Sequence, residues 1–277
     1  MTEGNFWEMI QKRYSNKKYL CIGLDFDHEK LPTRDLQNLN PFDAICQFNS
    51  QVIESSKEFA ACFKLNFWYY SAYGIEGFRG LATTIEYIKN NTKDIPIILD
   101  IKFNDIQKTV RNMHKFAYLT EFETDAITAN PYLSLIDLEP LYTDPNKMVF
   151  ILIKTSNQDS HKVQNLITDQ GLVYERIAEQ IQNLNKENVG GVFGATYPEE
   201  LKSFRLSYPN MKILIPGVGS QGANVVDTVE YAKHNFIINI GSSIIYSKSN
   251  FPNYPFYISC QAYNYNEQIK SGLGQLA

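Results

Sequence analysis

Eight short apolar or β-branched runs recur along the chain, and no other feature restricts its fold as much. They are Leu20–Asp25, Ala61–Asn66, Ile95–Ile101, Asp125–Asn130, Met148–Lys154, Gly190–Ala195, Lys212–Pro216 and Phe236–Ile240. Each has strand length, and their starts lie about 31 residues apart on average, the size of one strand–helix unit. Helical periodicity fills several gaps. Ile45, Phe48, Val52 and Phe59 suit one helix face, with Asn40 placed to cap it and Pro41 at its first position. Ile75, Phe78, Leu81, Ile85 and Ile88 repeat at three and four residues, as do Val173, Ile177, Ile181 and Leu184. Eight alternating units in 277 residues predict an α/β fold, a (β/α)8 TIM barrel. Extra helices are expected near residues 5–15 and 256–273. No Pro/Gly/Ser-rich linker divides the chain, so residues 1–277 read as a single barrel domain. A doubly wound open sheet uses the same alternation and is the alternative.

Composition narrows the function. The net charge of −4 argues mildly against a dedicated nucleic-acid binder, which carries a basic excess. Cys21, Cys46, Cys62 and Cys260 are widely spaced with no CxxC pair, so neither a zinc site nor a redox dithiol is suggested. They read as reduced thiols of a cytoplasmic protein. His28, His114, His161 and His234 are scattered without metal-ligand spacing. The N-terminus lacks a signal-peptide pattern, and no apolar run approaches the roughly 18 residues of a membrane span. A soluble protein with no membrane partner is expected.

In a barrel the C-terminal ends of the strands carry the chemistry. Here they are loaded. The first run ends at Asp25, and the second carries Lys64 and ends at Asn66. The third reads Asp100-Ile101-Lys102-Phe103-Asn104-Asp105-Ile106, in which strand period places Asp100 and Lys102 on one face. Charges there are costly unless they compensate one another, and alternating Lys64, Asp100, Lys102 and Asp105 would do so. A purely structural ion-pair network is the blander reading.

Asp100-x-Lys102-x-x-Asp105-Ile106, followed by Thr109, resembles the signature of the orotidine 5′-phosphate decarboxylase family. Other segments resemble it in order: LCIGLD at Asp25, FKLNFWYYSAYGIEG at Lys64, NPYLS at Asn130, IKTSNQDS at Thr155 and Ser156, GATYPEEL, and PGVGSQG at Gln221. The likeness runs from about residue 20 to about 247 and is greatest to the longer, second-group branch.

The resemblance implies removal of CO2 from C6 of a pyrimidine nucleotide, orotidine 5′-phosphate giving UMP, without metal or organic cofactor. It implies that Lys102 stabilises the C6 carbanion and protonates it, with Asp100 beside the departing carboxylate. Lys64 and Asp105 would hold these two in place. Asp105 would come from the partner subunit, implying a homodimer. Asp25, Lys64 and Thr109 would approach the ribose. Thr155 and Ser156 would meet the pyrimidine amide, and Gln221 would bridge ring and phosphate. Asn66 and Asn130 end their strands at the same mouth.

Gly217-Val-Gly219-Ser-Gln-Gly222 satisfies a dinucleotide-binding pattern, but it sits in the seventh unit and no acidic residue ends the next strand. In a barrel such a loop cradles phosphate with backbone N–H groups, or it merely makes a tight turn. The Phe67–Tyr70 aromatic run reads as wall packing rather than base stacking.

The chain departs from the family at Ser134, where glycine is usual, at Gly222-Ala223-Asn224 in the seventh loop, and most at one further position. After the eighth strand a phosphate-gripping arginine is expected, and Asn239-Ile240-Gly241-Ser242-Ser243-Ile244 places Ser242 there. Three readings follow. A decarboxylase of the phosphorylated substrate could hold phosphate through Gly219, Gln221, Gly241, Ser242, Ser243 and Lys248. A related decarboxylase could take a non-phosphorylated nucleoside. A non-catalytic pyrimidine binder is the third, but it gains nothing from Asp100 facing a substrate carboxylate.

Overall fold

The computed structural model describes residues 4–92, 94–219, 221–246 and 253–276. Eight parallel strands close into a barrel: β1 (Leu20–Gly23), β2 (Ala60–Asn66), β3 (Ile97–Phe103), β4 (Ala126–Ala129), β5 (Met148–Lys154), β6 (Val189–Phe193), β7 (Ile213–Ile215) and β8 (Phe236–Ile240). Pairing of β1 with β8 closes the ring, through Leu20 opposite Ile238 and Ile22 opposite Ile240, so the open-sheet alternative is excluded. Every expected run is a strand. β3 starts two residues later than its apolar run, because Pro96 has no N–H and Ile97 N–H donates instead to Asp125 Oδ2 at 2.9 Å.

The helices follow from their caps and apolar faces. Asn40 Oδ1 accepts from Asp43 N–H at 3.0 Å and opens the helix Pro41–Ser56, which buries Ile45, Phe48 and Val52 against the barrel wall. That helix ends before Phe59, which packs from the following turn. Gly74–Asn91 buries Leu81, Ile85 and Ile88, whereas Ile75 and Phe78 at its start are exposed. The fourth unit has no α-helix. Its connection, residues 130–147, carries Pro131 and Pro140 and forms only a 3₁₀ turn, Glu139–Tyr142. The loop after β5 adds a small antiparallel pair, Ile167–Thr168 with Gly171–Leu172, that no apolar periodicity announced.

The two ends of the barrel differ. The helix Phe6–Ser15, closed by a reciprocal Asn5–Glu8 capping box, lays Phe6, Trp7 and Ile10 against Cys21, Ile98, Phe150 and Ile237 of the lower barrel. Its Arg13 is buried and donates to Ala60 O at 2.8 Å and Lys57 O at 2.9 Å. With that floor sealed, the mouth at the C-terminal strand ends is where a ligand can enter. The C-terminal helix Tyr254–Gly274 packs outside, beside Pro41–Ser56 and Val225–Ala232. Among the described residues, no helix is long and apolar enough to cross a membrane.

Candidate active site

The mouth is organised around a break in the β3–β4 ladder. Leu99 pairs with Ile127 and Phe103 with Ala129, so Asp100, Ile101 and Lys102 together oppose Thr128. Lys102 adopts a left-handed backbone, φ 56°, which costs a non-glycine residue about 1–3 kcal/mol and requires support from its surroundings. Thr128 supplies that support. Its buried hydroxyl accepts from Ile101 N–H at 3.1 Å and Lys102 N–H at 3.0 Å, and donates to Asp100 Oδ1 at 2.8 Å. Sequence period alone expected Asp100 and Lys102 on one pleated face. They do meet, but a bulge rather than a pleat aims them.

Asp100 lies between two ammonium groups. Lys102 Nζ is 2.6 Å from its Oδ1 and Lys64 Nζ is 3.0 Å from its Oδ2, while Lys64 also stands 3.7 Å from Asp25 Oδ1. Burial alone would push the Asp100 carboxyl up. Lys64 and Lys102, with hydrogen bonds from Lys102 and Thr128, outweigh that and hold it well below the usual carboxylate range. Burial would likewise lower Lys64, but Asp100 and Asp25 outweigh it and keep its ammonium charged to strongly alkaline pH. Lys64 and Asp100 are buried, whereas the Lys102 side chain is 39% exposed and faces the mouth. The arrangement holds one protonated amine beside one ionised carboxylate at an open site.

Asp25 is fixed by Tyr246, which the sequence did not single out, and by Tyr70 of the aromatic run. Tyr246 OH donates to Asp25 O at 2.9 Å and accepts from Asp27 N–H at 2.5 Å. Tyr70 OH donates to Leu24 O at 2.6 Å. Asp25 Oδ1 is buried and has no hydrogen-bond partner among the described residues, with Lys64 Nζ 3.7 Å away. Gly241 lies against it: a Cβ there would come 3.4 Å from Asp25 Oδ2.

Across the mouth, Ser156 and Gln221 converge, since a Cβ on Gly217 would lie 3.0 Å from both Ser156 Cβ and Gln221 Oε1. Gly194 allows this approach, because a Cβ there would come 2.7 Å from Ser156 Cα. Thr155 is engaged locally, its hydroxyl donating to Asn157 Oδ1 and accepting from Gln164 Nε2, both at 2.7 Å. The preceding residue, Lys154, was also missed. It is fully buried, 3.3 Å from Glu200, hydrogen-bonded to Asn165, and over the Tyr197 ring at 4.2 Å, so it fastens the loop that carries Thr155 and Ser156.

The remaining expected residues lie on the rim. Gly219 and Ser243 meet between the β7 and β8 loops: a Cβ on Gly219, φ 86°, would come 2.7 Å from Ser243 Oγ. Ser242 opens the turn Ser242–Ile245. Among the described residues, no Lys or Arg hydrogen-bonds or ion-pairs with Gly219, Gln221, Gly241, Ser242 or Ser243, and Lys248 lies outside the described residues. Asn66 caps Phe67–Ser71 through Trp68 N–H at 3.1 Å, and Asn130 accepts from Tyr132 N–H at 3.0 Å. Thr109 lies in the first turn of the helix Gln107–Leu119. Asp105 accepts from Ile106 N–H at 2.7 Å and is not brought to Lys64 or Lys102 within this chain. Among the described residues, no cluster of His, Cys, Asp or Glu could hold a metal ion.

Comparison with known proteins bears on the same barrel. Residues 18–250 match the model of the orotidine 5′-phosphate decarboxylase / HUMPS family. An orotidine 5′-phosphate decarboxylase of Herpetosiphon aurantiacus is 38% identical over 238 residues, which are 84% of this chain and 86% of that one. Among solved structures, Leishmania donovani OMP decarboxylase superposes with TM-score 0.81 at 26% identity, covering 98% of this chain and 99% of that one. Leishmania donovani UMP synthase superposes with TM-score 0.84 at 27% identity over 97% of this chain, which spans only 56% of that protein.

Proposed function

Because the chain belongs to the orotidine 5′-phosphate decarboxylase / HUMPS family, we propose how its mouth carries out that family's lyase reaction. The chain is a carbon–carbon lyase of pyrimidine biosynthesis, converting orotidine 5′-phosphate to UMP. The observation that carries the mechanism is Asp100 braced between Lys64 and Lys102, with only Lys102 open to the mouth.

The C6–carboxylate bond breaks, CO2 departs, and the bonding electron pair stays on C6. Lys102, a fixed cation, stabilises that charge as it develops. A proton then passes from Lys102 Nζ to C6, giving UMP and a neutral amine that water reprotonates. Asp100 would face the substrate carboxylate. Two carboxylates about 4 Å apart repel by roughly 4 kcal/mol at an effective dielectric of about 20, and loss of CO2 relieves this. Lys64 keeps Asp100 ionised and, with Asp25 and Thr109, meets the ribose. Asn66 and Asn130 frame the mouth; Thr155, Ser156 and Gln221 read the pyrimidine amide and carbonyl. Phosphate sits against Gly219, Gln221, Gly241, Ser242 and Ser243. These groups are neutral, so they hold phosphate by hydrogen bonds alone.

The working unit is a homodimer in which Asp105 reaches the partner's Lys102. Exposed apolar side chains gather on the loops after β2, β3 and β4, where Trp68 is 60%, Ile106 57%, Tyr132 82% and Ile136 73% exposed. They lie on the same rim as Asp105 and favour this reading. The free thiols fit a reducing cytoplasm. The test is turnover of orotidine 5′-phosphate against orotidine, followed by loss of the orotate chromophore. Faster turnover of the phosphorylated substrate supports the assignment. A preference for orotidine would mean that the neutral rim selects a nucleoside, and binding without turnover of either would remove the chemistry.

A further inference from the structure

We propose that Thr128 is a positioning residue for the decarboxylation, holding Lys102 and Asp100 in their reactive geometry through a single hydroxyl. The inference rests on the mechanism proposed above. A hydroxyl has one proton to give and two lone pairs to accept with. All are used here on three consecutive residues: Thr128 donates to Asp100 Oδ1 at 2.8 Å and accepts from Ile101 N–H at 3.1 Å and Lys102 N–H at 3.0 Å.

These contacts sit where the ladder cannot supply them. The bulge lets Asp100, Ile101 and Lys102 oppose one β4 residue, leaving N–H groups without a carbonyl opposite. Lys102 is left-handed, so its side chain leaves the pleat and turns back until Nζ is 2.6 Å from Asp100 Oδ1. The hydroxyl pins both ends of that return. It captures the two backbone amides that define the turn, and it holds the carboxylate oxygen that Lys102 contacts. Thr128 itself cannot drift, because it lies inside β4 between Ile127 and Ala129, which pair with Val149 and Ile151 of β5. It is itself buried, so its effect passes through Lys102 and Asp100.

The experiment compares Thr128→Val, which keeps shape and removes the hydroxyl, with Thr128→Ser, which keeps the hydroxyl. Misplacement of a reacting group by about 1 Å costs on the order of 100-fold in rate. Thr128→Val is expected to lower kcat about 100-fold with KM within about twofold, and Thr128→Ser to stay within about fivefold of the parent. The charged groups facing Asp100 are Lys64 from β2, Lys102 from β3 and, through Lys64, Asp25 beyond β1. Equal losses in both variants, or full activity in Thr128→Val, overturn the proposal. If Thr128→Val does not fold, Thr128→Cys, a weaker donor and acceptor, must lose more kcat than Thr128→Ser. Amide exchange at Ile101 and Lys102, read in the free protein, is independent of turnover. It should quicken about tenfold in Thr128→Val or Thr128→Cys, the loss of one hydrogen bond, and unchanged exchange overturns the proposal. A parent protein without turnover refutes the decarboxylase mechanism and leaves the exchange result to decide the role of Thr128.

Discussion

Replacing Ser242 by arginine probes the least ordinary feature of the mouth. Ser242 is half-buried at the start of Ser242–Ile245, beside Ser243, which meets Gly219 across a gap that would not admit even a Cβ. Among the described residues no cation hydrogen-bonds or ion-pairs with this rim. Serine offers phosphate one neutral hydrogen bond, whereas arginine offers a charged fork. Charge-assisted bonds contribute about 1.5–3 kcal/mol each, so a bidentate pair adds roughly 3–5 kcal/mol. Ordering the longer side chain subtracts about 0.5–1.5 kcal/mol. The remaining 2–4 kcal/mol or so predicts a rise of roughly 30- to 1,000-fold in kcat/KM for orotidine 5′-phosphate. Orotidine, which has no phosphate to grip, serves as the internal control and should be unaffected. The assay is steady-state loss of orotate absorbance for both substrates, with parent and Ser242→Arg side by side. An unchanged kcat/KM for the phosphorylated substrate, in a folded variant, would show that phosphate does not sit against Ser242. An equal gain for both substrates would show that the arginine acts on something other than phosphate.

Two further predictions concern the partner subunit and the buried charges. Asp105→Asn and Lys102→Ala should each be nearly inactive, yet an equal mixture should recover about a quarter of parental activity, because half of randomly paired dimers carry one intact site; a mixture no better than its parts refutes the shared site. Asp100→Asn should cost up to about 3–5 kcal/mol at neutral pH, because it leaves buried Lys64 with Asp25 alone, 3.7 Å away. The folded Asp100 carboxyl titrates below its unfolded value, so its contribution is complete above the unfolded value near about 4 and is lost as pH falls toward the folded one. The gap in urea stability between parent and variant should therefore begin to close as pH falls below about 4, and a difference independent of pH would contradict the ion-pair account.

Much of the barrel was legible because parallel strands buried on both faces must be apolar runs, and all eight runs became strands. The open-sheet alternative could not be removed from sequence, since closure depends on β1 meeting β8 and leaves no local mark. The charged strand ends were legible for the opposite reason: Lys64, Asp100 and Lys102 are conspicuous among apolar neighbours, and they do form one cluster. What was hidden is what holds them. The left-handed turn at Lys102 has no glycine to announce it, because Thr128 on another strand supports it. A lone threonine in a strand reads as β-branched filler. Tyr246 and Lys154 were hidden likewise, since their partners, Asp25 O and Glu200, are distant in sequence. The fourth unit, whose connection carries Pro131 and Pro140, forms a 3₁₀ turn in place of the expected helix.

The central claim is that this barrel decarboxylates orotidine 5′-phosphate through Lys102, and one measurement tests it most directly. Purified parent protein and Lys102→Ala are each incubated with orotidine 5′-phosphate, and CO2 and UMP are quantified together, with folding of both checked by thermal unfolding. The account predicts one UMP per CO2 from the parent and no detectable turnover from a folded Lys102→Ala variant. Substantial turnover without the Lys102 amine would contradict it.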